Sequence, residues 1–170
     1  VDAVIPAGSK VYVKPNGVHF SPGTYTDAAV VDALLGWLRD HGYRRLALME
    51  NSTHALATRL MFAVTGYDRI ARRYGAEPVY LDEGRTVPYA LEGEESPIRI
   101  PRRLFETFID PARRPGSFYL SLPKLKTHPM ATVTLGVKNQ QAFPIDEDRM
   151  HLHNHETLHP RLARRYRMVR

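Results

Sequence analysis

Lys124, Lys126 and His128 stand at alternate positions between Pro123 and Pro129, and Lys138 and Asn139 follow shortly after. Two ammonium groups and an imidazole in one short segment suit carboxylate or phosphate oxygens. An ammonium is a mobile point charge with three donors, and a carboxamide can orient a second oxygen. Crowded lysines also depress one another's pKa, which would allow one of them to serve as a base or Schiff-base amine. Lys14 and Asn16 flank Pro15 after a short β-branched and aromatic run, and Glu50 ends the apolar run Leu46-Ala47-Leu48-Met49. A carboxylate placed there is costly to bury without a partner, and Lys14 is the expected one. These residues predict a site in which Lys14, Asn16, Lys124, Lys138 and Asn139 bind a small anionic ligand and Glu50, Lys126 and His128 move protons. The plainer alternative is a solvated basic loop with no ligand. Asp82 is a weaker candidate, because its surroundings read as loop.

A second group is His151, His153 and His155 within the stretch 150–159, which also holds His159. In a strand the first three would share a face, whereas in a helix only 151/155 or 155/159 would pair. With His128 and Glu50 they could complete a three-ligand divalent-metal site with an open position. Their spacing matches no HExxH-type motif, and an exposed His-rich end is the plainer reading. Arg161, Arg164, Arg165, Arg167 and Arg170 concentrate the excess charge, +6 overall, at the C-terminal end. A non-catalytic module docking there on an acidic protein is the alternative function, and nucleic acid is the less expected partner. Neither GxxxxGK[ST] nor GxGxxG nor GxSxG occurs. Phosphate-loop, dinucleotide and nucleophile-elbow chemistries are therefore unsupported.

Hydrophobic periodicity supplies the elements that must position these groups. Val11-Tyr12-Val13 reads as a strand stopped by Pro15-Asn16-Gly17. Val30, Val31, Leu34, Leu35 and Leu38 recur at helical spacing, with Thr26 or Asp27 as cap and Gly42 just beyond. The run 45–49 reads as a buried strand, with Ser52 or Thr53 capping a helix over 55–64 that stops at Gly66. A further helix over 68–74 stops at Gly75, and a strand follows over 78–81. The segment 84–116 is a proline- and glycine-rich excursion in which Leu104, Phe105 and Phe108 would anchor to the core. A strand over 117–122, a basic loop over 123–129, and a segment 132–137 that suits strand or helix complete the order. Alternating strands and helices of this length imply an α/β fold, a layered and mostly parallel sheet flanked by helices. One domain over 1–150 and a His/Arg-rich segment over 151–170 are expected. In such sheets ligands bind beyond the carboxyl ends of the strands, so the polar segments after each strand should face one cleft.

With 43% hydrophobic and 25% charged residues, the 170-residue chain has an ordinary globular composition and enough length for a packed core. It has no cysteine, which removes disulfides, thiolate metal sites and cysteine nucleophiles. No apolar run approaches a membrane span, and Val1-Asp2-Ala3 starts no signal core, so a cytoplasmic protein is expected.

Lys14-Pro15-Asn16, Glu50-Asn51-Ser52, Gly66-Tyr67, the stretch Leu122-Pro123-Lys124-Leu125-Lys126-Thr127-His128, Thr134 and Lys138-Asn139 together resemble the family called domain of unknown function 362. His151 falls where that family often carries a histidine. The resemblance covers residues 8–155 and implies a common fold without an assigned reaction. Several of its members are described as iron–sulfur proteins because they carry ferredoxin-like cysteine motifs. Without cysteine, this chain cannot ligate such a cluster, and the cofactor is left undefined apart from a possible divalent metal. The family's region also extends past the last residue here, and the chain starts with Val, so an incomplete domain is expected.

Overall fold

A computed structural model describes residues 4–52, 57–91, 95–112, 115–128 and 132–153. Four strands form the central sheet: β1 (Lys10–Pro15), β2 (Leu46–Glu50), β3 (Glu77–Tyr80) and β6 (Ser117–Leu122). Their order is β3-β2-β1-β6, and every pairing is parallel. Both faces of the sheet are covered, which is why Leu46 to Met49 reads as a continuous apolar run rather than an alternating one.

Val11, Val13, Leu46 and Leu48 face one core, packed under the helices α1 (Ala28–Asp40), α2 (Thr58–Thr65) and α3 (Tyr67–Tyr74). The Asp27 carboxylate caps α1 by accepting from the Ala29 N–H at 2.8 Å, and Val31, Leu35 and Leu38 form its buried stripe. Each such side chain contributes about 1.5–3 kcal/mol by leaving water. Gly66 and Gly75 end α2 and α3 in the left-handed region, at φ of 80° and 60°. Ser52 does not cap α2, because that helix starts only at Thr58, whose N–H donates to Asp82 Oδ2 at 3.0 Å. Ser52 instead donates its hydroxyl to the Val18 carbonyl at 3.2 Å; Thr53 lies outside the described residues.

Tyr12, Ala47, Met49 and Val79 face the opposite core. There they meet Leu104 and Phe108, which come from the short helix α4 (Arg102–Leu104) and the π-helical turn Phe105–Ile109 that continues it, and Phe143. Tyr12 and Phe108 pack edge to face at 5.2 Å. The excursion thus supplies the second helical layer. Its antiparallel hairpin, β4 (Thr86–Tyr89) with β5 (Ile98–Pro101), closes a small third core around Leu91, Ile98 and Ile100. Phe105 packs against this third core.

After β6, the expected basic loop is half strand. β7 (Lys126–His128) pairs antiparallel with β8 (Thr132–Thr134), Lys126 opposite Thr134. The β-branched threonines give the segment a partner that the prolines around it conceal. Helix α5 (Gly136–Asn139) follows at once, so the segment 132–137 is strand and then helix. A 3-10 turn, Gln140–Ala142, leads to α6 (Asp146–His153). Among the described residues, no helix is long and apolar enough to cross a membrane.

Candidate functional site

The strand order turns back at β1. The chain adds β2 and β3 on one side of it and later places β6 on the other, which makes the carboxyl ends of β1 and β6 the place where a parallel sheet opens to a ligand. Three residues close this opening from below. Lys14 is wholly buried, and its ammonium bonds Glu50 Oε2, Asn139 Oδ1 at 3.0 Å and the Pro15 carbonyl at 3.2 Å. All three of its donors are thereby engaged. Glu50 is equally buried, and its other oxygen accepts from the Gly17 N–H at 3.3 Å. Burial pushes the Glu50 carboxyl up and the Lys14 ammonium down, each opposed by the attraction of the other. The proton between them is held by their mutual contact rather than by solvent. Gly17 is small for a reason: a Cβ there would overlap the Met61 methyl and sit 2.7 Å from Glu50 Cγ.

Asn139, from α5, spans the gap between the strands. Its Nδ2 donates to the Lys14 carbonyl on β1 and to Ser121 Oγ on β6, both at 3.0 Å. Thr26 makes a second tie, accepting from the Asn16 N–H at 2.9 Å and donating to the Leu122 carbonyl at 2.8 Å.

Above this floor lies a cavity of ≈ 130 Å³. Its walls include Asn16, Glu50, Lys126, His128, Lys138 and Arg149. Lys126 and His128 are two residues apart on β7 and therefore share one face of the hairpin. The Lys126 ammonium donates to the Thr24 carbonyl at 2.6 Å. Burial lowers its pKa; Glu50 opposes the shift and Lys124 adds to it. The pKa of His128 is lowered by burial and then by Lys138 and Lys126, which favours its neutral form. Lys138 bonds Gln141 Oε1. Arg149, on α6, is buried, and its guanidinium donates to the carbonyls of Ser52 at 3.1 Å and Pro144 at 3.2 Å, with Asp146 at 3.7 Å. Asn51 stitches the same region by donating to the Ala142 carbonyl at 2.7 Å.

Of the residues expected from the sequence, Asn16, Glu50, Lys126, His128, Lys138 and Asn139 line this one cavity, and Lys14 lies beneath it, paired with Glu50. Lys124 precedes β7 and is not part of the wall; it bears on the site through repulsion with Lys126. Asp82 serves α2 instead. The side chains of His151 and His153, and the whole of His155 and the arginine-rich end, lie outside the described residues. Among the described residues, no group of three His, Asp or Glu side chains could hold a metal ion. Arg149 escaped the sequence reading because Asp146, Glu147 and Asp148 just before it make a solvated helix the natural expectation. Its one signal was a lone cation closing an acidic turn.

Compared with known proteins, residues 11–170 match the family model described as domain of unknown function (DUF362). No curated protein and no solved structure matches the chain.

Proposed function

The chain belongs to the DUF362 family, and from that premise we propose that its cavity is an enzyme-like site for a small anionic ligand, a carboxylate or phosphate group. The observation that supports this is the charge of the wall. Lys126 and Arg149 line a space to which one carboxylate, Glu50, contributes among the described lining residues; Glu50 is already paired with Lys14, and Asp146, outside the wall, lies 3.7 Å from Arg149. An excess of cations around a partly buried space is costly until an anion enters it. The volume corresponds to about four waters, which suits a compact ligand or the anionic end of a longer one.

In this reading Lys126 and Arg149 hold and polarise the anion, Lys138 stands beside them, Lys124 adds positive field from outside the wall, and Asn139 fixes the floor beneath the ligand. His128, half-buried and with its pKa lowered by burial and by Lys138 and Lys126, is the group placed to exchange a proton with the bound molecule. Glu50 keeps its oxygens on Lys14 and Gly17, so its part is to hold charge and geometry under the ligand.

Calorimetric titration of inorganic phosphate and of small carboxylates at constant ionic strength tests the reading. Lys126→Ala and His128→Ala should each weaken binding at least tenfold while thermal unfolding stays within about 2 °C of the parent protein, as expected for partly exposed side chains. Loss of fold in both variants, or unchanged binding, would make these residues structural and refute the proposal.

A further inference from the structure

Three buried atoms of residues in the cavity wall have no hydrogen-bond partner among the described residues: Asn16 Oδ1, Thr134 Oγ1 and Arg149 Nε. Buried polar atoms are nearly always paired; four others without a hydrogen-bond partner, Asp82 Oδ1, Tyr119 OH, Gln140 Oε1 and Asp146 Oδ1, belong to residues outside the wall, and the grouping of these three in one wall points to bonds made with something the described chain does not supply. Their types differ in a useful way. Arg149 Nε can only donate, which suits an oxyanion, and the Thr134 hydroxyl can act either way. Asn16 Oδ1 can only accept, and an anion without hydrogen would set its lone pairs against it.

The orientation of Asn16 follows from its neighbours. Lys14 is an ammonium and can only donate, so the Asn139 atom 3.0 Å from it is the carbonyl oxygen. The same assignment lets Asn139 Nδ2 donate to the Lys14 carbonyl at 3.0 Å. Asn16 must then meet Asn139 Oδ1 with its own Nδ2, at 3.4 Å, which leaves Asn16 Oδ1 as the unmatched acceptor. A ligand for this wall therefore needs anionic oxygens and a donor as well. An ammonium donor is opposed by Lys126 and Arg149, whereas a hydroxyl brings a donor without added positive charge.

Building on the anion-binding reading, we propose that the site selects a small oxyanion that carries its own O–H group, a hydroxycarboxylate or a protonated phosphate. The O–H donates to Asn16 Oδ1, and the anionic oxygens accept from Arg149 Nε and Lys126.

Two matched pairs of ligands isolate the O–H: glycolate against acetate, and phosphate, protonated at neutral pH, against sulfate. Each is titrated calorimetrically into the full chain at pH 7 and constant ionic strength. The hydroxylated member should bind about ten- to a hundredfold more tightly, the factor that follows from leaving a buried acceptor unpaired. Preference within one pair alone supports the proposal and identifies the source as carboxylate or phosphate. In Asn16→Leu the ratio should fall to about one; should that variant not fold, the parent ratios still decide. Acetate and sulfate binding as tightly as their partners would overturn selection for O–H and leave the anion site standing. No binding by any of the four would overturn both.

Discussion

Removing one member of the Lys14–Glu50 pair should destabilise the protein in a way whose pH dependence reveals which member was lost. In Lys14→Met, Glu50 is left buried with only the Gly17 N–H, and in Glu50→Gln the ammonium keeps Asn139 and Pro15 but loses its counter-charge. Breaking a buried pair from one side costs about 3–5 kcal/mol, against a total stability of roughly 5–15 kcal/mol for a domain. With a urea dependence of about 2 kcal/mol per molar, the unfolding midpoint should fall by roughly 2 M. The slopes with pH have opposite signs. Burial already raises Glu50, and without Lys14 it rises further. The folded Lys14→Met variant then keeps a proton that the unfolded chain sheds above about pH 4.3, and its stability relative to the parent falls as pH rises from 5 to 7. Burial lowers Lys14, and without Glu50 it falls further. The folded Glu50→Gln variant stays neutral where the unfolded lysine takes up its proton below about pH 10.4, so its relative stability falls as pH drops from 9 to 7. Each slope approaches about 1.4 kcal/mol per pH unit. Urea unfolding of both variants and the parent across pH 5–9 measures this. Slopes of the same sign, or a loss below about 1 kcal/mol in either variant, would refute the claim that these groups share a dry, paired environment.

Two further outcomes follow from the site. Because burial, Lys138 and Lys126 hold His128 below its ordinary range, a bound anion should raise it. Binding should then take up a proton and tighten as pH falls from 7.5 to 5.5; calorimetric heats independent of buffer ionisation would count against this, as would an unchanged pH profile in His128→Asn. Gly17→Ala should cost about 1–3 kcal/mol, because the Met61 methyl can swing aside but Glu50 Cγ, 2.7 Å from the new carbon, is anchored by its pair with Lys14. A thermal midpoint within about 2 °C of the parent would contradict that packing.

The sheet and its first three helices were legible because their signals are local: an apolar run ending at Glu50, a helical stripe starting behind Asp27, and glycines where the chain must turn left-handed. The buried pair was legible for the same reason, since a carboxylate at the end of a doubly covered strand must find a cation, and Lys14 stands one residue before the end of the adjacent strand. What could not be read depends on distant partners. Lys126 and His128 were found, but Lys124 was included with them because alternation says nothing about where a strand begins. Ser52 looked like a helix cap until the helix began six residues later on a carboxylate from beyond β3. Arg149 joins the wall only because Asn51, Ser52 and Pro144 turn their carbonyls toward it, an arrangement absent from any local window.

Asn139 ties the ends of β1 and β6 with a single carboxamide while also facing the cavity. Anyone wishing to redirect this scaffold toward another ligand could exchange the β7–β8 hairpin, which contributes Lys126 and His128, as one cassette. The graft point would have to fall before Leu135, because the amide beyond it holds the Lys14 carbonyl and Ser121 Oγ together at the mouth of the paired strands and accepts from Lys14.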